Sequence, residues 1–380
     1  MELYMTNNAL ICGFARSPFT PAKKGQLACA RPDDIAATVI RGLLENLNLD
    51  SSYVEDVLVG CAFPEGEQGF NLARMVGFLA DLPNEVGGVT INRFCGSSMQ
   101  AIHDAAGRIA MGAGDAFICG GVESMSRIPM SGFNPLPNPR LASDRPEAFT
   151  NMGLTAENLA NAYEINREAQ QDFVIESHKR AAAAAFDEVI IPIETENGTV
   201  TTDGCIREGT NQEALSKLKP AFLEEGTVTA GTSSPLTDGA AFVLVCSESF
   251  AKEHNLTPLA RIKSIAISGC APEVMGIGPV EASRKALERA GITLGDVDII
   301  ELNEAFAAQS LAVIEEMELD QAKVNVDGGA LALGHPLGAS GARIVGRAAT
   351  LLSRNGSKTA LATMCIGGGQ GIATVLEKVD

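Results

Sequence analysis

Asp298-Ile299-Ile300-Glu301-Leu302-Asn303-Glu304-Ala305-Phe306 is an apolar strand pattern that follows an amphipathic helix pattern beginning at Pro279. A similar unit occurs early in the chain, where a helix pattern from Pro32 leads to Asp56-Val57-Leu58-Val59-Gly60-Cys61-Ala62-Phe63. Downstream of each Ala-Phe, a turn of small residues opens a further helix, Cys95-Gly96-Ser97-Ser98 in one case and Leu337-Gly338-Ala339-Ser340 in the other. The recurrence predicts a duplication, and chance similarity of two common helix-strand units is the alternative.

Alternation of helix and strand patterns is typical of layered α/β proteins with a largely parallel sheet, so we predict two related α/β halves. Between them the composition changes, because prolines cluster over residues 129–146 and helical patterns follow over 157–166 and 168–187. An excursion of this length with periodic helices indicates a small inserted fold rather than a linker. The predicted division is 1–122 plus 237–258 for the first half, 123–236 for the inserted loop domain, and 259–380 for the second half.

Composition and charge restrict the classes of function. The chain has 380 residues, of which 46% are hydrophobic and 20% charged, as expected of a soluble protein with more than one packed lobe. A net charge of −18 argues against nucleic-acid binding and against anionic membrane surfaces. There is no apolar run of membrane-spanning length and no basic-apolar leader pattern, so we expect no membrane span and a cytoplasmic location.

The cysteines do not follow a structural pattern. There are nine, an odd number, with no Cys-x-x-Cys pair and no spacing of Cys and His ligands. This pattern argues against a disulfide framework and against a metal site. We therefore expect reduced thiols.

Cys95 follows a strand pattern, Val89-Thr90-Ile91, and precedes a helix pattern with one apolar face. It is therefore predicted at or just before a helix N-terminus, where free N–H groups and the helix dipole favour a thiolate. That effect is worth about 0.3–1 kcal/mol, and one pKa unit corresponds to about 1.4 kcal/mol, so the dipole alone lowers a thiol pKa by roughly one unit. A nucleophile at neutral pH therefore needs a base as well, and histidine is the natural candidate.

His335 is the histidine best suited to that role. The chain has four, and His103, His178 and His254 fall in helical, polar stretches where solvent exposure or a core hydrogen bond accounts for them. His335 instead lies among glycines in Gly334-His335-Pro336-Leu337-Gly338, where no regular element is expected and the backbone can approach a ligand. A purely structural histidine is the alternative.

A third glycine-rich turn begins at Cys365, in Cys365-Ile366-Gly367-Gly368-Gly369-Gln370-Gly371, after a strand pattern over 359–363. Consecutive glycines can present amide N–H groups to an oxyanion. A phosphate-binding loop is the usual alternative, but no Lys-Ser/Thr follows and no Gly-x-Gly-x-x-Gly fingerprint is present. Two cysteines and a histidine in such turns predict acyl transfer through a thioester.

Over essentially its full length the chain resembles the thiolase family. The resemblance is carried by four ordered motifs: Asn92-Arg93-Phe94-Cys95-Gly96-Ser97-Ser98-Met99-Gln100-Ala101, Asn303-Glu304-Ala305-Phe306-Ala307-Ala308-Gln309, Gly334-His335-Pro336-Leu337-Gly338-Ala339-Ser340-Gly341-Ala342-Arg343 and Cys365-Ile366-Gly367-Gly368-Gly369-Gln370-Gly371. It implies the thiolase fold, in which two duplicated α/β halves pack as α-β-α-β-α layers and carry an inserted loop domain. Within the family, the chain looks most like the 3-ketoacyl-CoA thiolases of bacterial fatty-acid β-oxidation.

The resemblance also implies the reaction, thiolytic cleavage of a 3-ketoacyl-CoA by CoA into acetyl-CoA and a shortened acyl-CoA. Cys95 would attack the 3-keto carbon, with His335 favouring its thiolate, and Cys365 would serve as general acid and then as base. His335 and a water held by Asn303 would meet the enolate oxygen, and the N–H groups of Cys95 and Gly367 would meet the acyl oxygen. For Asn303, a helix cap is the alternative role.

Coenzyme A is then expected as a substrate, with no tightly bound cofactor. By position in the family pattern, Arg207 would contact the nucleotide end and Ser234 the pantetheine. Apolar walls would come from five further residues: Met152, Phe222, Ala230, Leu236 and Phe306. Arg207, Lys217 and Lys219 offer local positive charge for the phosphates, although a solvated charged face explains the lysines equally well.

Two positions depart from the family pattern. Asn151 precedes Met152-Gly153 where short-chain biosynthetic thiolases usually carry His, which argues against an acetoacetyl-CoA-specific enzyme, and Pro235 replaces the usual Gly or Ala after Ser234. The alternatives are a biosynthetic acetyl-CoA acetyltransferase, a ketosynthase-like condensing enzyme, a Cys-His thioester hydrolase and a non-enzymatic acyl-CoA binder. The resemblance also implies a homodimer or homotetramer, with a multifunctional β-oxidation subunit as a candidate partner.

Overall fold

The computed structural model describes residues 8–379. Its strands, in chain order, are β1 (Ala9–Arg16), β2 (Thr20–Pro21), β3 (Asp56–Gly60), β4 (Gly87–Ile91), β5 (Ala116–Ser124), β6 (Ile193–Thr195), β7 (Gly198–Val200), β8 (Thr237–Ser247), β9 (Ala260–Gly269), β10 (Ile299–Leu302), β11 (Thr359–Ile366) and β12 (Gln370–Glu377). Its α-helices are α1 (Pro32–Leu47), α2 (Leu72–Leu79), α3 (Ser97–Ala110), α4 (Pro139–Asp144), α5 (Met152–Ala162), α6 (Arg167–Ala183), α7 (Gln212–Ser216), α8 (Glu248–Glu253), α9 (Gly278–Ala290), α10 (Ala307–Glu316), α11 (Ala330–Leu333) and α12 (Leu337–Asn355).

The two halves of the main sheet have the same strand order and directions. In the first half the order is β4-β3-β5-β8-β1, with β3 parallel to β4 and β5, and with β8 antiparallel to β5 and β1. In the second half the order is β10-β11-β12-β9, with β10 parallel to β11, and with β12 antiparallel to β11 and β9. A parallel bridge between Ile300 and Val324 stands beside β10 as β4 stands beside β3. The predicted duplication is confirmed.

Alternate residues of the buried strands face different hydrophobic cores, as the two-residue period of a strand requires. On β5, Phe117 joins a central core with α3 and α12, whereas Ile118 joins an outer core with α1 and α2. On β11, Ala360 faces the central core and Leu361 faces a second outer core with α9 and α10. This arrangement confirms the α-β-α-β-α layers.

The central helices α3 and α12, one from each half, touch at their N-terminal turns. A Cβ added to Gly341 would lie 2.4 Å from the backbone nitrogen of Met99, so only glycine permits this approach. The N–H of Ala342 donates to Ser98 Oγ at 2.9 Å. The turns that precede the two helices are thereby brought side by side.

Between β5 and β8 the chain leaves these layers and forms α4 to α7 and the hairpin β6-β7. The helices predicted over 157–166 and 168–187 are present as α5 and α6, but α5 begins earlier because the Asn151 side chain caps it by accepting from Gly153 N. The division at 122/123, 236/237 and 258/259 stays a prediction, and its outermost residues, 1–7 and 380, lie outside the described part of the chain. Among the helices of residues 8–379, none combines the length and apolar content needed to cross a membrane.

Candidate active site

The predicted reacting residues gather at one edge of the sheet. Cys95 follows β4, Asn303 follows β10 and Cys365 is the next-to-last residue of β11. The carboxyl ends of parallel strands form the edge at which α/β proteins usually bind ligands. His335 reaches the same edge because it lies two residues before α12, whose first turn lies against that of α3.

Cys95 lies in a tight turn between β4 and α3. Phe94 adopts the left-handed conformation, with φ of 43°, and its N–H donates to Asn92 Oδ1 at 2.9 Å. Helix α3 begins at Ser97, which agrees with the predicted position of Cys95 before a helix N-terminus. Burial raises the pKa of the Cys95 thiol to about 11, an effect opposed by the backbone N–H of Gly367. The thiol therefore needs a base to react at neutral pH.

The hydrogen bonds of His335 define which ring nitrogen is the base. Ser340 Oγ donates its single proton to Pro336 O at 3.0 Å and lies 2.5 Å from His335 Nδ1. Assigning the Ser340 proton to Pro336 O makes Nδ1 the N–H donor to Ser340 and leaves the lone pair on Nε2, beside the side-chain amide of Asn303. Burial, and secondarily the charge of Arg343, lowers the pKa of His335 to about 3, so the imidazole is neutral.

The expectation of irregular structure around His335 is wrong in part. Helix α11 ends at Leu333 and α12 begins at Leu337, so only three residues between them are irregular. Gly334 has φ of 101°, a conformation that favours glycine and lets the chain turn from one helix to the next. The N–H of His335 donates to Thr237 Oγ1 at 3.0 Å, and the Thr237 hydroxyl donates to Pro235 O at 2.6 Å.

The turn of Cys365 packs against the turn of Cys95. A Cβ added to Gly96 would lie 2.6 Å from Ile366 Cδ1, and one added to Gly367 would lie 3.4 Å from Met152 Sδ. Cys365 is buried, and burial, followed by the charge of a Cys95 thiolate, raises the pKa of its thiol. Cys365 is therefore held as a protonated thiol close enough to respond to charge on Cys95.

Asn303 is fully buried beside His335. Its Nδ2 lies 3.4 Å from His335 Nε2, and its backbone N–H donates to Thr363 O at 3.0 Å. Helix α10 begins at Ala307 with Phe306 at the N-cap and no side-chain cap, so the alternative role of Asn303 as a helix cap is wrong. Asn303 Oδ1 is buried and has no hydrogen-bond partner among the described residues, so it remains available as an acceptor.

Two buried carboxylates behind these turns were not predicted from the sequence. Glu304 accepts from Ser177 Oγ and Asn325 Nδ2, each at 2.7 Å, and so fixes the segment that carries Asn303. Glu123, at the end of β5, accepts from backbone groups of both halves. The one available signal was an acidic residue at the end of an otherwise apolar strand, because few carboxylates are fully buried without partners.

The predicted CoA residues fall into three groups. Met152, Phe222 and Phe306 share one apolar cluster with Cys365. Ser234 lies against the segment after Asn303, because its N–H donates to Ala305 O at 3.0 Å. The other predicted residues, Arg207, Ala230 and Leu236, are exposed and lie outside that cluster.

The lysines near the predicted nucleotide end are exposed. Lys217 pairs with Glu213 at 2.6 Å, four residues earlier, as on a solvated helix surface. This pairing favours the solvated-face interpretation for Lys217. The backbone N–H of Arg207 donates to His178 Nδ1 at 3.1 Å, which accounts for His178 by a core hydrogen bond.

Comparison with known proteins agrees with this site. Residues 9–249 match the thiolase N-terminal domain, and residues 256–378 match the thiolase C-terminal domain. The 3-ketoacyl-CoA thiolase of Pseudoalteromonas translucida is 48% identical, over 98% of this chain and 100% of that protein. The 3-ketoacyl-CoA thiolase of Bacillus subtilis is 45% identical, over 97% of this chain and 99% of that protein.

Solved structures give the same result. The crystal structure of human mitochondrial 3-ketoacyl-CoA thiolase superposes with a TM-score of 0.91 at 38% identity, covering 99% of this chain and 100% of that one. The same human enzyme in complex with CoA gives a TM-score of 0.90 at 38% identity, covering 99% of each chain. These matches span both halves and the inserted region, and the chain therefore belongs to the thiolase family.

Proposed function

We propose that this protein is a 3-ketoacyl-CoA thiolase that transfers an acyl group from 3-ketoacyl-CoA to CoA through a thioester on Cys95. The observation that carries the proposal is that the turns of Cys95 and Cys365 pack together, while a neutral His335 lies just before α12, whose first turn contacts that of α3. The names of the most similar relatives support the same substrate class.

In the first half-reaction His335 Nε2 takes the proton of Cys95, and the thiolate attacks the 3-keto carbon of the substrate. The bond between the α-carbon and that carbon then breaks, leaving the shortened acyl group on sulfur and expelling the enolate of acetyl-CoA. Cys365 protonates the α-carbon of the enolate. His335 and a water held by Asn303 stabilise the enolate oxygen, and the N–H groups of Cys95 and Gly367 stabilise the acyl oxygen.

In the second half-reaction the thiolate of Cys365 takes the proton of an incoming CoA thiol. The CoA sulfur attacks the thioester and Cys95 leaves as a thiolate, which takes back the proton held on His335 Nε2, so both thiols and the neutral imidazole are restored. One residue thus serves as acid and then as base, as ping-pong chemistry requires. A ketosynthase-like enzyme would be expected to carry His or Asn in place of Cys365, so the second thiol favours thiolysis.

CoA is the second substrate, and we propose no tightly bound cofactor. The apolar cluster of Met152, Phe222 and Phe306 beside Cys365 would flank the pantetheine, with Ser234 as its polar contact. Arg207 is exposed and would meet the nucleotide end, and Ala230 and Leu236 would complete the apolar walls at the surface. The human relative solved with CoA supports this ligand class.

We assign substrates longer than four carbons, because Asn151 stands where short-chain biosynthetic enzymes usually carry His. The experiment measures CoA-dependent cleavage of 3-ketoacyl-CoA substrates of increasing length from acetoacetyl-CoA. We expect kcat/KM to rise beyond four carbons. A strict preference for acetoacetyl-CoA would instead identify the biosynthetic acetyl-CoA acetyltransferase.

We further propose a cytoplasmic homodimer or homotetramer, with a multifunctional β-oxidation subunit as a candidate partner. Strand β4 supports self-association because it is the edge strand of the first half of the sheet and its residues are only partly buried. On α2, which packs against β4, Phe78 is 46% exposed, and Phe70, just before that helix, is 91% exposed. Analytical ultracentrifugation at micromolar concentration is expected to give a dimer or tetramer, and a monomer would refute this part.

A further inference from the structure

Glu123 is 1% exposed, and its carboxylate receives hydrogen bonds from both halves of the protein. Oε2 accepts from Ala62 N at 2.8 Å and from Gly338 N at 2.9 Å. Oε1 accepts from Gln68 Nε2 at 2.8 Å and from Phe63 N at 3.3 Å. Cys61 Sγ also lies 3.6 Å from Oε1. Burial raises the pKa of Glu123, whereas these four N–H donors lower it and favour the carboxylate.

The hydrogen bonds continue from Glu123 to the turn of Cys95. Asn92 Nδ2 donates to Ala62 O at 3.0 Å, and Asn92 Oδ1 accepts from Phe94 N at 2.9 Å. In the other direction, Gly338 lies in the first turn of α12, shortly after His335. One unbroken series of hydrogen bonds thus connects the turn of Cys95 with the turn of His335, and Glu123 is its charged member.

We propose that Glu123 is a positioning residue that holds the His335 turn at working distance from Cys95. The inference rests on the proposed function, in which His335 accepts the proton of Cys95. Proton transfer needs heavy atoms about 2.6–3.2 Å apart. A displacement of about 1 Å can lower a rate about 100-fold, so a rigid connection between the halves is a requirement of the chemistry.

Electrostatics separates this role from direct activation of the nucleophile. Burial has the largest effect on the pKa of the Cys95 thiol, and two backbone N–H contacts oppose it. The negative charge of Glu123 has a smaller effect, and it raises this pKa. A residue that activated Cys95 through its charge would have the opposite sign. Two further titratable groups lie in the neighbouring turns, Cys365 and His335, and both are neutral at rest because burial raises the pKa of the thiol and lowers that of the imidazole.

The test is Glu123→Gln in the full-length protein. A glutamine keeps one acceptor oxygen, but its NH₂ group must face at least one donor. Gln68 cannot turn its oxygen to that group without losing the bond from Ser124 N to Gln68 Oε1 at 2.7 Å. We expect kcat to fall about 10–100-fold with KM for CoA within about twofold. We also expect the pH midpoint of Cys95 alkylation by iodoacetamide to move down, because a negative charge is removed.

If Glu123 positions the His335 turn, Glu123→Gln should therefore show more Cys95 thiolate at a given pH together with slower turnover. Unchanged kcat would overturn the inference, and so would a loss of kcat with an unmoved or raised alkylation midpoint. Glu157→Gln is the matched control, because Glu157 is a buried carboxylate that accepts from Thr227 N and Val228 N, and it is expected to leave the midpoint unchanged.

A second variant covers the case in which Glu123→Gln does not fold. Gln68→Met keeps the carboxylate and removes one of its donors, and we expect a threefold to tenfold loss of kcat with acylation still on Cys95. Wild-type kcat in Gln68→Met would contradict the inference. Failure of the wild type to acylate Cys95 would refute the proposed function itself, so the two failures are distinguishable.

Discussion

The two halves have the same strand order but carry different chemistry at equivalent positions. Cys95 stands two residues before the first residue of α3, and His335 stands two residues before the first residue of α12. The equivalent strands β5 and β11 end near a carboxylate, Glu123, and a thiol, Cys365. The duplication thus decides where these side chains stand, whereas the residue at each position decides whether it reacts or holds another group.

The comparison also shows why both halves are needed. The N-terminal turns of α3 and α12 touch, so equivalent positions of the duplicated units come together at one site. A single half would present one of these positions alone. The predictions below follow from this difference in role, beginning with the largest expected effect.

Cys95→Ala should abolish acylation and lower turnover by at least about 10⁴-fold, because it removes the nucleophile, which the first half of the protein supplies. Peptide mass spectrometry after mixing with acetoacetyl-CoA should find an acetyl group on Cys95 of the wild type and none on the variant. Cys29→Ser is the control, since Cys29 is another half-buried thiol and its loss should leave the label in place. An acetyl group on a different cysteine would refute the assignment.

Cys365→Ala should still acylate Cys95 but turn over about 10²–10⁴-fold more slowly, because the variant lacks the proton donor and acceptor of the second half. Single-turnover acylation and steady-state thiolysis, measured on the same preparation, separate the two steps. Equal loss of acylation and thiolysis would show that the halves do not divide the chemistry in this way.

Ser340→Ala should lower kcat about tenfold, because His335 Nδ1 would lose the partner that fixes the neutral tautomer with its lone pair on Nε2. Nitrogen NMR of the imidazole should show a mixture of tautomers in the variant. Ser283→Ala is the control, because Ser283 is a buried serine of α9 whose hydroxyl has no partner among the described residues. A single unchanged tautomer in Ser340→Ala would contradict the assignment of the base.

The smallest effect concerns stability. His103 of α3, like His335, is a buried imidazole, and its Nε2 lies 2.8 Å from Thr374 Oγ1. Burial, and then the charge of Arg93, lowers its pKa from 6.5 to about 3. Below pH 6.5 the unfolded chain therefore binds a proton that the folded protein does not, so stability falls as the pH falls.

Between pH 7.5 and 5.5 this difference is worth about 1.4 kcal/mol for one imidazole. Urea unfolding at the two pH values should show the wild type losing about that much more stability than His103→Gln. Equal pH dependence in the two proteins would mean that the pKa of His103 is the same in the folded and unfolded states.

Local sequence was enough to predict several elements of the site. The strand, the turn and the apolar face after it placed Cys95 before α3, because periodicity and helix termini are local properties. Glycines marked the turn of His335, although α11 and the early start of α12 were not foreseen there. The sequence allowed Asn303 to be a helix cap, and only the position of Phe306 at the N-cap of α10 excluded that role.

The sequence alone determined the duplicated pattern and the identity of the reacting groups, since both are written in residues that are neighbours along the chain. Only the tertiary structure decided that Glu123 contacts Gly338, that Ser340 fixes His335, and that Thr237 holds the His335 backbone. Except for the bond within the His335 turn, these contacts join residues from distant parts of the chain. Their partners depend on how two layers pack, and no local pattern encodes that packing.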